Sequence, residues 1–306
     1  MAPVATEPTS LISTDVRQLG HFSVGPLAYG LWRFTESDPA SGIKLIEAAL
    51  EAGMNLIDTA DVYGLDWGGT GFGSVEENLG RVLAQAPELR DRMVLATKGG
   101  IVPPIPYDSS ASGLRGACED SLRRLGVDSI DLYQVHRPDM LTHPAEVAAT
   151  LMDLRQEGKI SEIGVSNYGP AQLAALQAHL DVPIVSTQPQ YSAANTTPLR
   201  DGTFDQAMER GIVPLAWSPL AGGSLVSGEG VRPELITTLD RLAEREGSDR
   251  ATIALGFALA HPSRPVVIVG TQTPERIAAS TAALACRLDR HDVYDIIQAS
   301  EGVPLP

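Results

Sequence analysis

Four residues of types that move protons follow one another along the chain: Asp58, Tyr63, Lys98 and His136. Three apolar stretches lead to them. Residues 55–57 run into Asp58, and Tyr63 stands in the polar loop beyond. MVLATK ends on Lys98, and IDLYQVH ends on His136. As parallel neighbouring strands, these stretches would gather all four side chains at the C-terminal end of one sheet, where β/α proteins carry their chemistry. A phenol with a reference pKa of about 10 is a poor acid at neutral pH, and a neighbouring ammonium favours its ionised form. Lys98 is therefore expected to lower the Tyr63 pKa, Asp58 to hold Lys98 in place, and His136 to hydrogen-bond the substrate oxygen or share the proton. Each residue alone has a plain structural reading as a cap, a turn residue or a solvent-facing side chain. All four at one mouth suit proton donation to an oxygen becoming an alkoxide.

Such a step needs a hydride, which no side chain supplies and a nicotinamide does. Later strand ends offer places to bind one. Ser166–Asn167 closes one strand and Gln188 the next. Trp217–Ser218–Pro219–Leu220 closes a third, with Gly222 and Gly223 leaving room for backbone contact with phosphate. The last strand runs into Gly270–Thr271–Gln272–Thr273–Pro274, which opens a helix whose free N–H groups can bind an anion. Arg276 lies in that helix's first turn, where a cation opposes the dipole. It reads either as a solvated side chain or as a phosphate ligand favouring NADP over NAD. Trp217 alone reads as core; its place before Ser-Pro-Leu-x-Gly-Gly favours a cofactor stack.

The elements that must position these residues alternate strictly. After a short hairpin within residues 16–27, strands are expected at 27–32, 55–58, 93–98, 130–136, 162–166, 183–188, 213–217 and 266–269. Helices are expected at 39–52, 74–86, 111–125, 144–157, 170–179, 204–210, 234–246, 251–260 and 274–283, with a last amphipathic one at 289–300. Ser74 and Glu77 have the spacing of a capping box. Eight strand–helix units predict an α/β fold of the (β/α)8 TIM-barrel type, with an N-terminal hairpin and an extra C-terminal helix. An open doubly wound sheet is the alternative, but no G-x-G-x-x-G turn follows an early strand. Residues 1–15, rich in Ala, Pro, Thr and Ser, read as a loose tail, and 16–306 as one domain.

The remaining composition narrows the partners. The net charge of −15, with no basic stripe, argues against nucleic acid or an anionic membrane. No apolar run is long enough to span a bilayer, and no leader pattern precedes the domain. Cys118 and Cys286 fall in separate helical patterns and read as buried thiols in a reducing cytoplasm. The histidines lack metal-ligand spacing, so no metal is expected.

Several segments are similar to the aldo-keto reductases: GMNLIDTADVYG, VLATK, SLRRLGVDSIDLYQVHRPD, IGVSNY, LAWSPLAGG and GTQTPERIAAS. The resemblance spans residues 19–300. It implies a (β/α)8 barrel and NADPH-dependent reduction of an aldehyde or ketone, with Tyr63 as acid/base and Asp58, Lys98 and His136 completing a tetrad. It implies that Ser166, Asn167 and Gln188 hold the nicotinamide carboxamide and that Trp217 stacks on its ring. Gly30, Leu31 and Trp32 would touch nicotinamide and substrate. Ser218, Leu220 and Gly222 would approach the pyrophosphate, and Thr271, Gln272 and Arg276 the adenosine phosphate. The chain departs from the family pattern at Gly270, where a basic residue is familiar, and at Ala279–Ser280, in place of a Glu-Asn pair. Cofactor choice therefore rests on Arg276, with NAD(H) the lesser expectation. The loops at 65–72 and 102–106 are expected to shape the substrate pocket. A redox-sensing barrel of low turnover, or an alcohol or sugar dehydrogenase running in the oxidative direction, are the competing functions.

Overall fold

The structure, a computed structural model, describes residues 10–305. An antiparallel hairpin, β1 (Arg17–Leu19) and β2 (Phe22–Val24), precedes eight parallel strands. These are β3 (Leu27–Gly30), β4 (Leu56–Asp58), β5 (Val94–Gly99), β6 (Ile130–Val135), β7 (Ile160–Ser166), β8 (Ser186–Gln188), β9 (Val213–Ala216) and β10 (Val266–Val269). Each pairs with its successor, and β10 pairs back onto β3, so the sheet closes into a barrel.

Strand alternation divides the side chains into two populations. Ala28, Leu56, Val94, Ala96, Leu132, Val213, Leu215 and Val266 form a buried cluster with Leu19 and Val24 of the hairpin. This cluster is the inside of the barrel at its N-terminal end, and the hairpin stoppers it. The other parity packs outward on the helices. Ile57 and Leu95 meet Val75, Leu79 and Val82 of α2 (Ser74–Gln85). Tyr133 and Val135 meet Leu114 and Cys118 of α3 (Ala111–Leu125), and Ile163 meets Leu151 of α4 (Pro144–Gln156). The outer layer also contains α1 (Pro39–Glu51), α5 (Pro170–Gln177), α6 (Thr203–Arg210), a one-turn α7 (Ser224–Ser227), α8 (Pro233–Glu246), α9 (Arg250–Leu259) and α10 (Pro274–Ala279). The C-terminal helix α11 (Arg290–Glu301) is joined to α8 by Arg245, which holds both carboxylate oxygens of Asp292. None of the described helices is long and apolar enough to cross a membrane. Both cysteines are free and buried.

Three local readings of the sequence are corrected. Ser74 does not cap α2; Gly73 does, at φ 80°, and the Ser74 hydroxyl is buried without a partner among the described residues. The left-handed backbone at Gly73 turns the chain sharply and carries Ser74 into the first turn. The helix expected at 274–283 stops at Ala279 and tightens into a 3-10 turn over Ser280–Ala285. The tail read as loose lies outside the described residues over 1–9, while over 10–15 it is held: Leu11 N donates to Leu288 O at 2.8 Å, and Ser10 Oγ to Cys286 O at 3.2 Å.

Helices α2 and α3 stand behind the strands that bear Asp58 and Lys98, and Gly80 sets their spacing. A Cβ at this position would lie 2.2 Å from the carbonyl oxygen of Arg124. Gly80→Ala should force the helices apart and cost about 1–3 kcal/mol, read as a lower urea midpoint at unchanged slope.

Candidate active site

The barrel brings the dispersed residues together because strand ends of one parity point inward at its C-terminal mouth. Gly30 pairs with Asp58, Lys98 with Gln134, and Ser166 with Gln188. His136 and Trp217 fall one residue beyond their strands, at the same parity.

Lys98 is the centre. Its ammonium donates to Asp58 Oδ2 at 2.7 Å, to the carbonyl of Thr59 at 2.8 Å and to the Tyr63 hydroxyl oxygen at 3.2 Å. An ammonium has three hydrogens, and each has an acceptor. Asp58 Oδ1 accepts in turn from Gln134 Nε2 at 3.2 Å and from Gln188 Nε2 at 3.0 Å. The ion pair is sealed from water, with side-chain exposures of 0% for Lys98 and 3% for Asp58. The Tyr63 ring meets His136 edge-on, with centroids 5.9 Å apart. All four expected proton-handling residues are thus adjacent. Gln134 and the Thr59 carbonyl are additional members. Gln134 is not among the expected residues, although it carries one signal, a polar side chain at the inward parity two positions before His136. The carbonyl leaves no trace in a sequence.

The electrostatics correct one expectation. Tyr63 does not fall below its ordinary value of 10.0 but lies above it. Burial raises it most, Asp58 raises it further, and Lys98 opposes both without prevailing. The phenol therefore keeps its proton at neutral pH. Burial disfavours the charge on Lys98, yet Asp58 and Tyr63 outweigh that and hold it above 10.5. His136 is pushed well below 6.5, first by burial and then by Lys98 and Arg137, so its ring is neutral; Nδ1 is buried without a partner among the described residues.

A second group of polar side chains continues around the mouth. Asn167, at φ 59°, donates to Ser166 Oγ at 2.9 Å and to the His136 carbonyl at 3.2 Å, and accepts from Trp217 Nε1 at 3.2 Å. Ser166 Oγ donates to the Gln188 carbonyl at 3.2 Å. Beyond β9, Ser218 sits at φ 55° and its hydroxyl accepts from Gly222 N at 3.1 Å, so Pro219 and Leu220 lie in a closed turn. Beyond β10 come Gly270, Thr271 and Gln272, the last donating to the Tyr29 hydroxyl at 3.2 Å. The exposed Arg276 side chain has no carboxylate within 4.0 Å among the described residues. Leu31 is buried behind β3, its N–H donating to the Asp58 carbonyl at 2.9 Å, and Trp32 follows it, 45% exposed.

The family profile described as "Aldo/keto reductase family" matches residues 26–301, and this chain belongs to that family of oxidoreductases. Over 295 residues it is 48% identical to a 6-dehydroglucose reductase of Novosphingobium aromaticivorans, covering 95% of this chain and 97% of the relative. A 6-dehydroglucose reductase of Agrobacterium fabrum is 34% identical, covering 90% and 94%. Among solved structures, the glycerol dehydrogenase of Gluconobacter oxydans superposes with a TM-score of 0.82 at 28% identity, covering 96% of this chain and 98% of that one.

Behind the site, Asp61 is fully buried and, among the described residues, neither carboxylate oxygen has a hydrogen-bond partner. The nearby Arg124 is committed to Glu76, which also accepts from Thr97. Burial, and then Glu76, hold the Asp61 carboxyl well above 3.8, so the folded chain keeps a proton that the unfolded chain releases above about pH 4. The folded state binds the extra proton, so this residue makes stability fall as pH rises from there. Asp61→Asn should remove that dependence. Its stability relative to the unaltered chain should be least favourable near pH 4 and improve toward pH 8 in urea titrations; a pH-independent difference would refute the assignment.

Proposed function

We propose that this chain reduces the aldehyde of a hexose, with NADPH as hydride donor and Tyr63 as general acid. The observation that carries the acid assignment is the direction of one hydrogen bond. Lys98 can only donate, so the Tyr63 oxygen accepts from it and the phenol hydrogen is free to point elsewhere. Burial keeps that hydrogen in place at neutral pH, and the ammonium stabilises the negative charge left once it is given away. Neutral His136 beside the phenol orients the substrate oxygen without competing for the proton.

The residues present fit a nicotinamide dinucleotide by the chemistry of their donors. Ser166, Asn167 and Gln188 offer a hydroxyl and two amides suited to a carboxamide, beside the flat indole of Trp217. Gly30 leaves space against Ile268, where a Cβ would come within 2.5 Å. The turn from Ser218 to Gly222 presents backbone to a pyrophosphate, and Thr271, Gln272 and Arg276, which has no carboxylate partner among the described residues, suit a 2′-phosphate. The bound cofactor supplies the hydride. The hexose reading is supported by the two relatives named for reducing 6-dehydroglucose. The glycerol dehydrogenase among the structural neighbours supports oxidation as the reverse use of the same residues. The two buried free thiols fit a reducing cytoplasm.

Tyr63→Phe should lower turnover in NADPH-dependent aldehyde reduction by about 10²–10⁴ while leaving the NADPH Kd unchanged, and undiminished turnover would remove the proposal. The pH profile of reduction should be flat from about pH 6 to 8, because His136 is already neutral there, and should fall only in the alkaline range where Tyr63 loses its proton. A limb near pH 6.5 would show that His136 titrates in the working range and takes part in the proton transfer. Arg276→Ala should raise the Kd for NADPH by about tenfold and leave that for NADH unchanged; equal losses would show that Arg276 does not read the 2′-phosphate.

A further inference from the structure

Trp67 has no part in the tetrad or the cofactor ring, yet it stands in the loop that leaves Tyr63. Its indole stacks on that of Trp32, with centroids 5.0 Å apart and planes within 3°. Trp32 lies two residues beyond β3, whose last residue Gly30 pairs with Asp58, and Trp67 lies four residues beyond Tyr63, so the stacked pair flanks the mouth beside Asp58 and Tyr63. The two are 45% and 48% exposed, which leaves a wide flat aromatic surface open to solvent at the entrance to the site. The surface is braced. The Arg33 guanidinium carbon lies 5.0 Å from the Trp67 centroid and 5.8 Å from that of Trp32, and Arg33 Nη2 donates to the Gly222 carbonyl at 3.0 Å. A guanidinium against two rings, tied to a third loop, holds the indoles in one arrangement before any ligand arrives.

We propose that Trp67, through this stack, is a specificity-determining residue for a substrate in cyclic, pyranose form. The inference rests on the hexose reading above and deepens it. A pyranose ring has faces of C–H groups and a rim of hydroxyls. An indole covers the C–H face without demanding hydrogen bonds from it and leaves the rim to water. With the ring laid along the stack, an aldehyde on the exocyclic carbon is the group that extends toward Tyr63. An aldehyde of two or three carbons has no ring to lay there. An aliphatic side chain at position 67 would keep the apolar character but lose the plane.

The test compares 6-dehydroglucose with propanal as substrates of the full chain with saturating NADPH, for the unaltered protein, Trp67→Phe and Trp67→Leu. Trp67→Leu should lower the ratio of the two kcat/KM values by about tenfold, chiefly through KM for the sugar. Trp67→Phe, which keeps a flat ring, should retain most of the ratio. Thermal melts of both variants establish that each is folded. A ratio unmoved by Leu, or moved equally by Leu and Phe, overturns the role of Trp67 while the hexose reading stands. An unaltered protein that reduces propanal but not the sugar aldehyde removes the hexose reading and this inference with it.

Discussion

A buried ammonium–carboxylate pair holds this site together. Removing Lys98 and Asp58 from water is costly, and such a pair persists only where the geometry is good and the remaining donors and acceptors are met. Here they are met from all around the lumen. Asp58 of β4 receives Lys98 from β5, Gln134 from β6 and Gln188 from the far side of the barrel. The pair therefore ties four strands across an interior that could not otherwise bury charge. A small lumen helps, because side chains from opposite strands reach one another without water between them.

The same pair sets the character of Tyr63. An exposed phenol beside a lysine would ionise more readily than usual. In this mouth, burial and the Asp58 carboxylate work against the lysine, and the phenol stays protonated. In the proposed reaction, Lys98 would contribute less by making the proton easy to lose in the resting protein than by standing ready for the charge that its loss would create. That would be preorganisation: the dipoles are already in position and would not have to turn.

Much of this was legible in the sequence because two simple periodicities carry it. The alternation of strands and helices gives the barrel, and the inward parity of strand ends places Asp58, Lys98 and His136 on one rim. What escaped was of another kind. Gln134 obeys the same parity but sits inside an apolar strand, where a polar residue is easily passed over. The net shift of Tyr63 is a balance between burial and charge, and burial is a property of the closed fold rather than of neighbours in the chain. The Gly73 cap displaced the expected Ser74 cap because a left-handed turn there outweighs side-chain spacing. The Trp32–Trp67 stack joins two loops that share no pattern in sequence.

The hairpin at the opposite end bears on traffic through the molecule. Leu19 and Val24 are fully buried in the floor of the barrel, and His21 is tied to Glu162 at 2.7 Å, so the lumen is a blind well. Everything that enters must leave by the doorway it came through. On the proposed function, a cofactor seated beneath the substrate would have to arrive before it and depart after it, so the floor of the barrel would impose a queue at its rim.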